Sequence, residues 1–169
     1  MLKPNQLVPN ITIPLLSGGT WDLHLQKPRQ FTLIIFYRGH HCPVCRFYLN
    51  SLSTHLSEFE ARGINVIAIS SNTREKALQS QTEWRTGRLP IGYDYPVERA
   101  RQLGLYISRG IKLHEPELFF EPAVLIVKPD STLYSIIVQS MPFGRPNIQD
   151  MLQTFDYIID ENYPPRGES

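Results

Sequence analysis

The sequence is short of most things that would assign it quickly. Only two of its 169 residues are cysteine. Two thiols cannot staple a domain of this size, so a disulfide scaffold is excluded, and in a reducing compartment such a pair points to catalysis or metal binding. Charge is equally sparse in information. Lysine and arginine exceed aspartate and glutamate by one, and no basic run could neutralise several phosphates together, so no nucleic-acid partner is expected. Apolar runs are too short to cross a bilayer, and Met1-Leu2-Lys3-Pro4-Asn5 lacks the apolar stretch of a secretory signal. The expectation is therefore no membrane and a cytoplasmic protein. Internal repeats and long linkers are also missing. With 41% hydrophobic residues, a single domain over 1–169 with one sizeable core is expected, 163–169 being a loose tail.

Both cysteines fall in one stretch, Arg38-Gly39-His40-His41-Cys42-Pro43-Val44-Cys45-Arg46. Before it, Phe31 to Tyr37 is a continuous apolar, β-rich run, as in a strand buried on both faces. After it, Leu49, Leu52, Leu56 and Phe59 recur at helical spacing until Gly63. The CxxC pair thus sits on the first turn of a helix leaving a central strand, where unpaired backbone N–H groups favour a thiolate.

The remaining elements follow in order. Residues 7–25 read as extended pieces around the Ser17-Gly18-Gly19-Thr20 turn, a β-hairpin. Ile64 to Ser70 is a second buried strand, parallel to the first because a helix connects them. Asn72 with Glu75 marks the start of a helix that stops near Gly87. Leu89 to Asp94 is a short strand or loop, Val97 to Leu105 a short helix, and Ile107 to Phe120 a loop near the site. Pro122 to Val127 and Leu133 to Val138 are joined by a polar turn and should pair antiparallel. Asn147 caps a final helix whose Ile148, Met151, Leu152, Phe155, Ile158 and Ile159 share a face.

This order resembles the thioredoxin-like arrangement, an α/β three-layer sandwich with a central mixed sheet flanked by helices, here with an N-terminal β-hairpin extension. The hairpin segment, the strand and site from Ile34 to Leu49, and Pro122 to Asp130 resemble peroxiredoxins. Phe36 to Arg46 is similar to AhpC/TSA-related, peroxiredoxin-like proteins that carry a CxxC. The resemblance implies a thiol-dependent oxidoreductase with an antioxidant role, needing no cofactor, that reduces a peroxide or disulfide substrate through Cys42 and Cys45. A thiol reductant of the thioredoxin or glutathione type would regenerate it, and a homodimer is among its possible assemblies.

Two departures from the peroxiredoxin motif stand out. Counting from the strand, Arg38 falls at the usual proline, Cys42 at the usual hydroxyl residue and Cys45 at the peroxide-reacting cysteine. The arginine of peroxiredoxins before the later strand is replaced by Pro122, in the setting where thioredoxins place a cis-proline whose preceding carbonyl pairs with a peptide substrate. Helix-start geometry favours Cys42 as the attacking thiolate with Cys45 resolving; the peroxiredoxin register favours the reverse. Both routes end in one intramolecular disulfide.

Supporting candidates are Arg38, which with Arg46 flanks the pair and could lower a thiol pKa or polarise a peroxide, and His41, able to tune the thiolate or move a proton. Arg145 could stand in for the missing arginine or be a surface residue. His40, His41 and the two cysteines offer ligand types that zinc accepts, although adjacent histidines rarely converge on one ion. Phe119-Phe120 could wall the site or fill the core. His55, Trp21 and Trp84 read as packing residues. The competing functions are a thioredoxin-type disulfide reductase and, in another class, a non-enzymatic metal-binding or partner-docking module.

Overall fold

A computed structural model describes residues 2–169. Its centre is a five-stranded sheet in the order β5-β4-β3-β8-β9. β3 (Phe31–Phe36) is buried at every position and lies between β4 (Ile64–Ile69), parallel to it, and β8 (Ala123–Val127), antiparallel. β9 (Leu133–Val138) closes one edge as the antiparallel partner of β8, and the two-residue β5 (Ile91–Gly92) closes the other, parallel to β4. The sheet is mixed because β3 reaches β4 through helices, whereas β8 and β9 join through a tight turn.

Alternation along the strands divides the core into two. Leu33, Ile35, Val66, Ala68, Val124 and Ile126 face one side, where they meet α1 (Pro43–Thr54), α2 (Leu56–Ala61), α3 (Arg74–Glu83) and α5 (Ile148–Asp160). Ile34, Phe36, Ile67, Ile69, Leu125 and Val127 face the other, against α4 (Val97–Gln102) and the N-terminal hairpin. Successive side chains on a pleated strand point to opposite faces, so continuously apolar strands require cover on both. At roughly 1.5–3 kcal/mol for each large apolar side chain buried, these two faces hold the fold together.

The hairpin pairs β1 (Thr12–Pro14) with β2 (Thr20–Asp22) and continues into a 3-10 turn, Leu23–Leu25. It is fastened to the sheet edge by a bridge between Leu15 and Gly92. Residues 163–169 carry no helix or strand, and the Tyr163 carbonyl accepts a hydrogen bond from the Tyr134 hydroxyl at 2.8 Å.

Three elements differ from the sequence reading. The single helix expected from Cys45 to Gly63 is broken at His55 into α1 and α2. There His55 Nδ1 lies 2.7 Å from the Ser51 carbonyl and the Thr54 hydroxyl donates to that same carbonyl at 2.8 Å, so side chains compete for a main-chain acceptor. The cap of α3 is Thr73, whose hydroxyl accepts from the Lys76 N–H at 3.4 Å; Asn72 is buried instead. Finally, 107–120 is not a loop. β6 (Ile107–Arg109) and β7 (Leu118–Phe120) pair antiparallel around the charged segment 110–117. Three-residue strands are too short to show a period.

Candidate active site

β3 ends at Phe36, and Tyr37 continues the ladder with its N–H donating to the Ile69 carbonyl at 3.0 Å. The chain then turns through Gly39, at φ +132, and the Cys42 N–H donates to the Gly39 carbonyl at 3.1 Å. A Cβ at Gly39 would come within 2.5 Å of Asn72 Oδ1 and 3.3 Å of His41 Nδ1. Gly39→Ala should therefore destabilise the protein by about 1–3 kcal/mol through strain and clash. Urea denaturation checks this through a fall in the transition midpoint.

Cys42 is the N-cap of α1 and Pro43 its first residue, a position where a missing N–H costs nothing. In place of the usual hydroxyl or carboxylate cap, Cys42 Sγ accepts the Cys45 N–H at 3.3 Å. Both thiols are unbonded and buried, at 1% and 0% exposure. Exposure thus does not separate them; electrostatics does. A hydrogen bond from the Cys45 thiol, the backbone N–H and the nearby Arg145 and Arg38 charges pull Cys42 down to about 6 against its own burial. Burial pushes Cys45 up, and its hydrogen bond to Cys42 adds to this. One proton therefore stays on Cys45 and the negative charge rests on Cys42.

Arg145 comes from the loop before α5. Its Nη2 lies 2.9 Å from Cys45 Sγ and 3.9 Å from Cys42 Sγ, and its guanidinium sits 5.1 Å from the Tyr48 ring centroid. Tyr48 in turn donates its hydroxyl to the Pro146 carbonyl at 3.0 Å, pinning that loop. Arg145 Nε and Nη1 are buried without a partner, which leaves the N–H groups of two guanidinium nitrogens unsatisfied. Tyr48 was not among the residues singled out from the sequence. Its place three residues after Cys45 on α1, on the same helical face, is the signal that would have found it.

Arg38 faces the β6–β7 hairpin. Its Nε lies 3.4 Å from Glu121 Oε2, its Nη2 3.9 Å from Glu115 Oε1, and its charge sits 4.7 Å from the Phe119 ring centroid. The Ser108 hydroxyl donates to Glu121 at 2.6 Å, completing a buried network the sequence did not announce. His41 packs on Phe119 with ring centroids 4.6 Å apart; burial, with the Arg38 charge, pushes its pKa down to about 4. It is neutral at pH 7. Phe119 thus walls the site, while Phe120 fills the core against Phe36 and Tyr95.

His40 turns away from the thiols, stacking parallel to Trp84 and placing Nε2 2.8 Å from Glu83. Among the described residues, no three His, Cys, Asp or Glu side chains come together as metal ligands. Pro122 is buried beside Arg145, Tyr48 and Gln139. No peptide bond among the described residues is cis, so the thioredoxin-like isomer considered for Pro122 is absent, in keeping with the trans preference of X–Pro bonds.

A buried dithiol at a helix start, sharing one arginine nitrogen, lies within the region matched by the model of the AhpC/TSA family, residues 4–136. The chain belongs to the AhpC/TSA family. As an AhpC/TSA protein it is a thiol-dependent oxidoreductase of the peroxiredoxin type. Arg145 falls outside the matched residues. No curated protein sequence matches the chain. Among solved structures, a mutant of the peroxiredoxin 6 of Arenicola marina is similar at 19% identity, TM-score 0.77, over 94% of this chain and 74% of that one. Peroxidoxin BcpB from Mycobacterium tuberculosis is similar at 19% identity, TM-score 0.74, over 94% and 99%. A reduced 2-Cys peroxiredoxin from Plasmodium vivax is similar at 15% identity, TM-score 0.78, over 96% and 86%. At such identities the likeness establishes the thioredoxin-like fold of the AhpC/TSA chain and nothing finer. Among the described residues no helix is long and apolar enough to cross a membrane.

Proposed function

We propose that the protein reduces peroxides through a Cys42–Cys45 dithiol–disulfide cycle in which Cys42 attacks and Cys45 resolves. The observation that carries this reading is the single Arg145 nitrogen in reach of both sulfurs, at 3.9 and 2.9 Å. The Cys42 thiolate attacks one peroxide oxygen, the O–O bond breaks, and the other oxygen leaves as water or alcohol after taking a proton. Sulfur is oxidised by two electrons to a sulfenic acid. Cys45 Sγ then attacks Cys42 Sγ; hydroxide departs as water with the Cys45 proton, and the disulfide forms. Two electrons from a thioredoxin- or glutathione-type thiol restore the pair, and a reducing compartment such as the cytoplasm would supply them.

The guanidinium serves both half-reactions. Its unpaired Nε–H and Nη1–H can hold the peroxide and stabilise charge developing on the leaving oxygen. Arg38, paired with Glu115 and Glu121, acts at longer range by positioning the loop that carries Cys42. One observation favours the reverse order of attack, namely that the shorter Arg145 contact is to Cys45.

Reduced protein titrated with near-stoichiometric hydrogen peroxide should lose two thiols with no lasting gain of oxygen in intact mass. Survival of both thiols in a large excess of peroxide overturns the reading. The pH profile is a second check. With Cys42 titrating near 6, its thiolate is about nine-tenths formed at pH 7. The oxidation rate should climb about tenfold per pH unit below 6 and level off above it. A thiol of ordinary pKa, roughly 8.5, would keep gaining rate to that point. Stopped-flow measurement between pH 4.5 and 9 separates the two.

A further inference from the structure

Both sulfurs are shut from solvent, yet a disulfide between them has to meet an external thiol before the pair can be restored. Thiol–disulfide exchange needs direct access to a sulfur, so part of the wall must move. The part with least to hold it is 140–145, which carries no helix or strand. Upstream, the Gln139 N–H donates to the Pro122 carbonyl at 2.9 Å; downstream, the Tyr48 hydroxyl donates to the Pro146 carbonyl at 3.0 Å. Between these anchors the Arg145 N–H donates to the Phe143 carbonyl at 3.0 Å, a bond internal to the loop, and the side chains of Met141 and Phe143 are 51% and 71% exposed. Among the described residues, the only hydrogen-bonded tie from 140–145 to the body of the protein is the Arg145 side chain, on the two sulfurs at 2.9 and 3.9 Å.

That tie depends on oxidation state. Arg145 Nε and Nη1 are buried without a partner, so sulfur is the acceptor on which the guanidinium relies. In the reduced pair a thiolate on Cys42 supplies the counter-charge. Forming the disulfide takes two electrons and one proton from the thiolate and thiol; a peroxide accepts them with a second proton from water, and its oxygens leave as water and alcohol, or as two waters. The sulfurs are then neutral and poor acceptors. A buried cation that loses its only anion is strongly disfavoured, and carrying the guanidinium out to water relieves it. Arg38 is the contrast, because Glu115 and Glu121 keep their charge in either state.

We propose that residues 140–145 form a redox-sensitive strap, held against the reduced pair by Arg145 and released when the disulfide forms, which uncovers Cys42 and Cys45 to the regenerating thiol. Its role in turnover rests on the dithiol–disulfide cycle proposed above, whereas the release itself requires only that the disulfide form.

The test makes the disulfide with diamide, which takes up two electrons and two protons, and confirms it by the loss of two hydrogens in intact mass. Reduced and oxidised full-length protein are then digested briefly with chymotrypsin, whose cleavage follows the population of the opened segment. Cleavage between Phe143 and Gly144 should speed up by at least about tenfold on oxidation, while cleavage after Leu25, exposed beside the N-terminal hairpin, stays constant. In Arg145→Met the oxidised-to-reduced ratio at Phe143 should fall to about one, since no charge is stranded when the thiolate disappears. An unchanged rate at Phe143, an equal rise at Leu25, a ratio that persists in Arg145→Met, or a pair that diamide does not close overturns the strap. Failure of the peroxidase reading shows separately, as thiols that diamide oxidises and hydrogen peroxide does not.

Discussion

Cys42→Ser is expected to lower peroxide turnover by at least about 10³-fold, because removing the attacking atom leaves only binding and electrostatics. Cys45→Ser should behave differently. Its Cys42 thiolate still attacks, but nothing resolves the product, so the variant stops after one equivalent with a single added oxygen that a sulfenic-acid reagent traps. The asymmetry has a local cause. Cys42 Sγ receives a backbone N–H at 3.3 Å and the Cys45 thiol proton, whereas Cys45 is buried without such help beyond Arg145. If the sulfenic acid is trapped in Cys42→Ser instead, Cys45 is the attacking sulfur. The 2.9 Å contact from Arg145 would then outweigh the helix cap. Intact-mass spectrometry of both variants after one equivalent of peroxide decides the order.

Arg145→Met should cost about 10²–10³-fold in the rate of thiol oxidation at pH 7, the scale of losing one preorganised donor to a developing oxyanion. The substitution keeps an unbranched side chain over Tyr48 but deletes the charge near both sulfurs. The Cys42 midpoint should also rise, since a cation that stabilises the thiolate has gone. Part of the lost rate should therefore return at higher pH. That is the readout a purely structural effect would not give. Arg38→Met supplies the contrast. Arg38 is paired with Glu115 and Glu121, so its loss leaves the buried Glu121 and the half-buried Glu115 without their cation. Its main expected effect is a lower denaturation midpoint, of about 1–3 kcal/mol.

Some of the site was legible because it is local in sequence. Cys42, Pro43 and Cys45 fall on a helix start that strand and helix periodicity place unaided, and Asn147 caps α5 where its side chain and the following apolar face require. Other parts were hidden for identifiable reasons. The break at His55 depends on two side chains competing for the Ser51 carbonyl, which hydrophobic spacing does not report. The β6–β7 hairpin consists of two three-residue strands, and only their pairing reveals them. Phe119 and Phe120 are neighbours of the same type with opposite fates, one against His41 and Arg38, the other in the core beneath Phe36. Alternation along a strand required them to separate, but not which would face His41 and Arg38.

Sequence alone determined the α/β order, the buried central strand, the CxxC pair and its place at the start of α1, because periodicity, capping and a two-residue spacing act over a few neighbouring positions. Only the tertiary structure decided which charges meet that pair. Arg145 reaches the sulfurs from 100 residues away along the chain, and Arg38, adjacent in sequence, turns instead to the carboxylates of the β6–β7 hairpin. Electrostatic contacts depend on distance in space, and no local pattern encodes it.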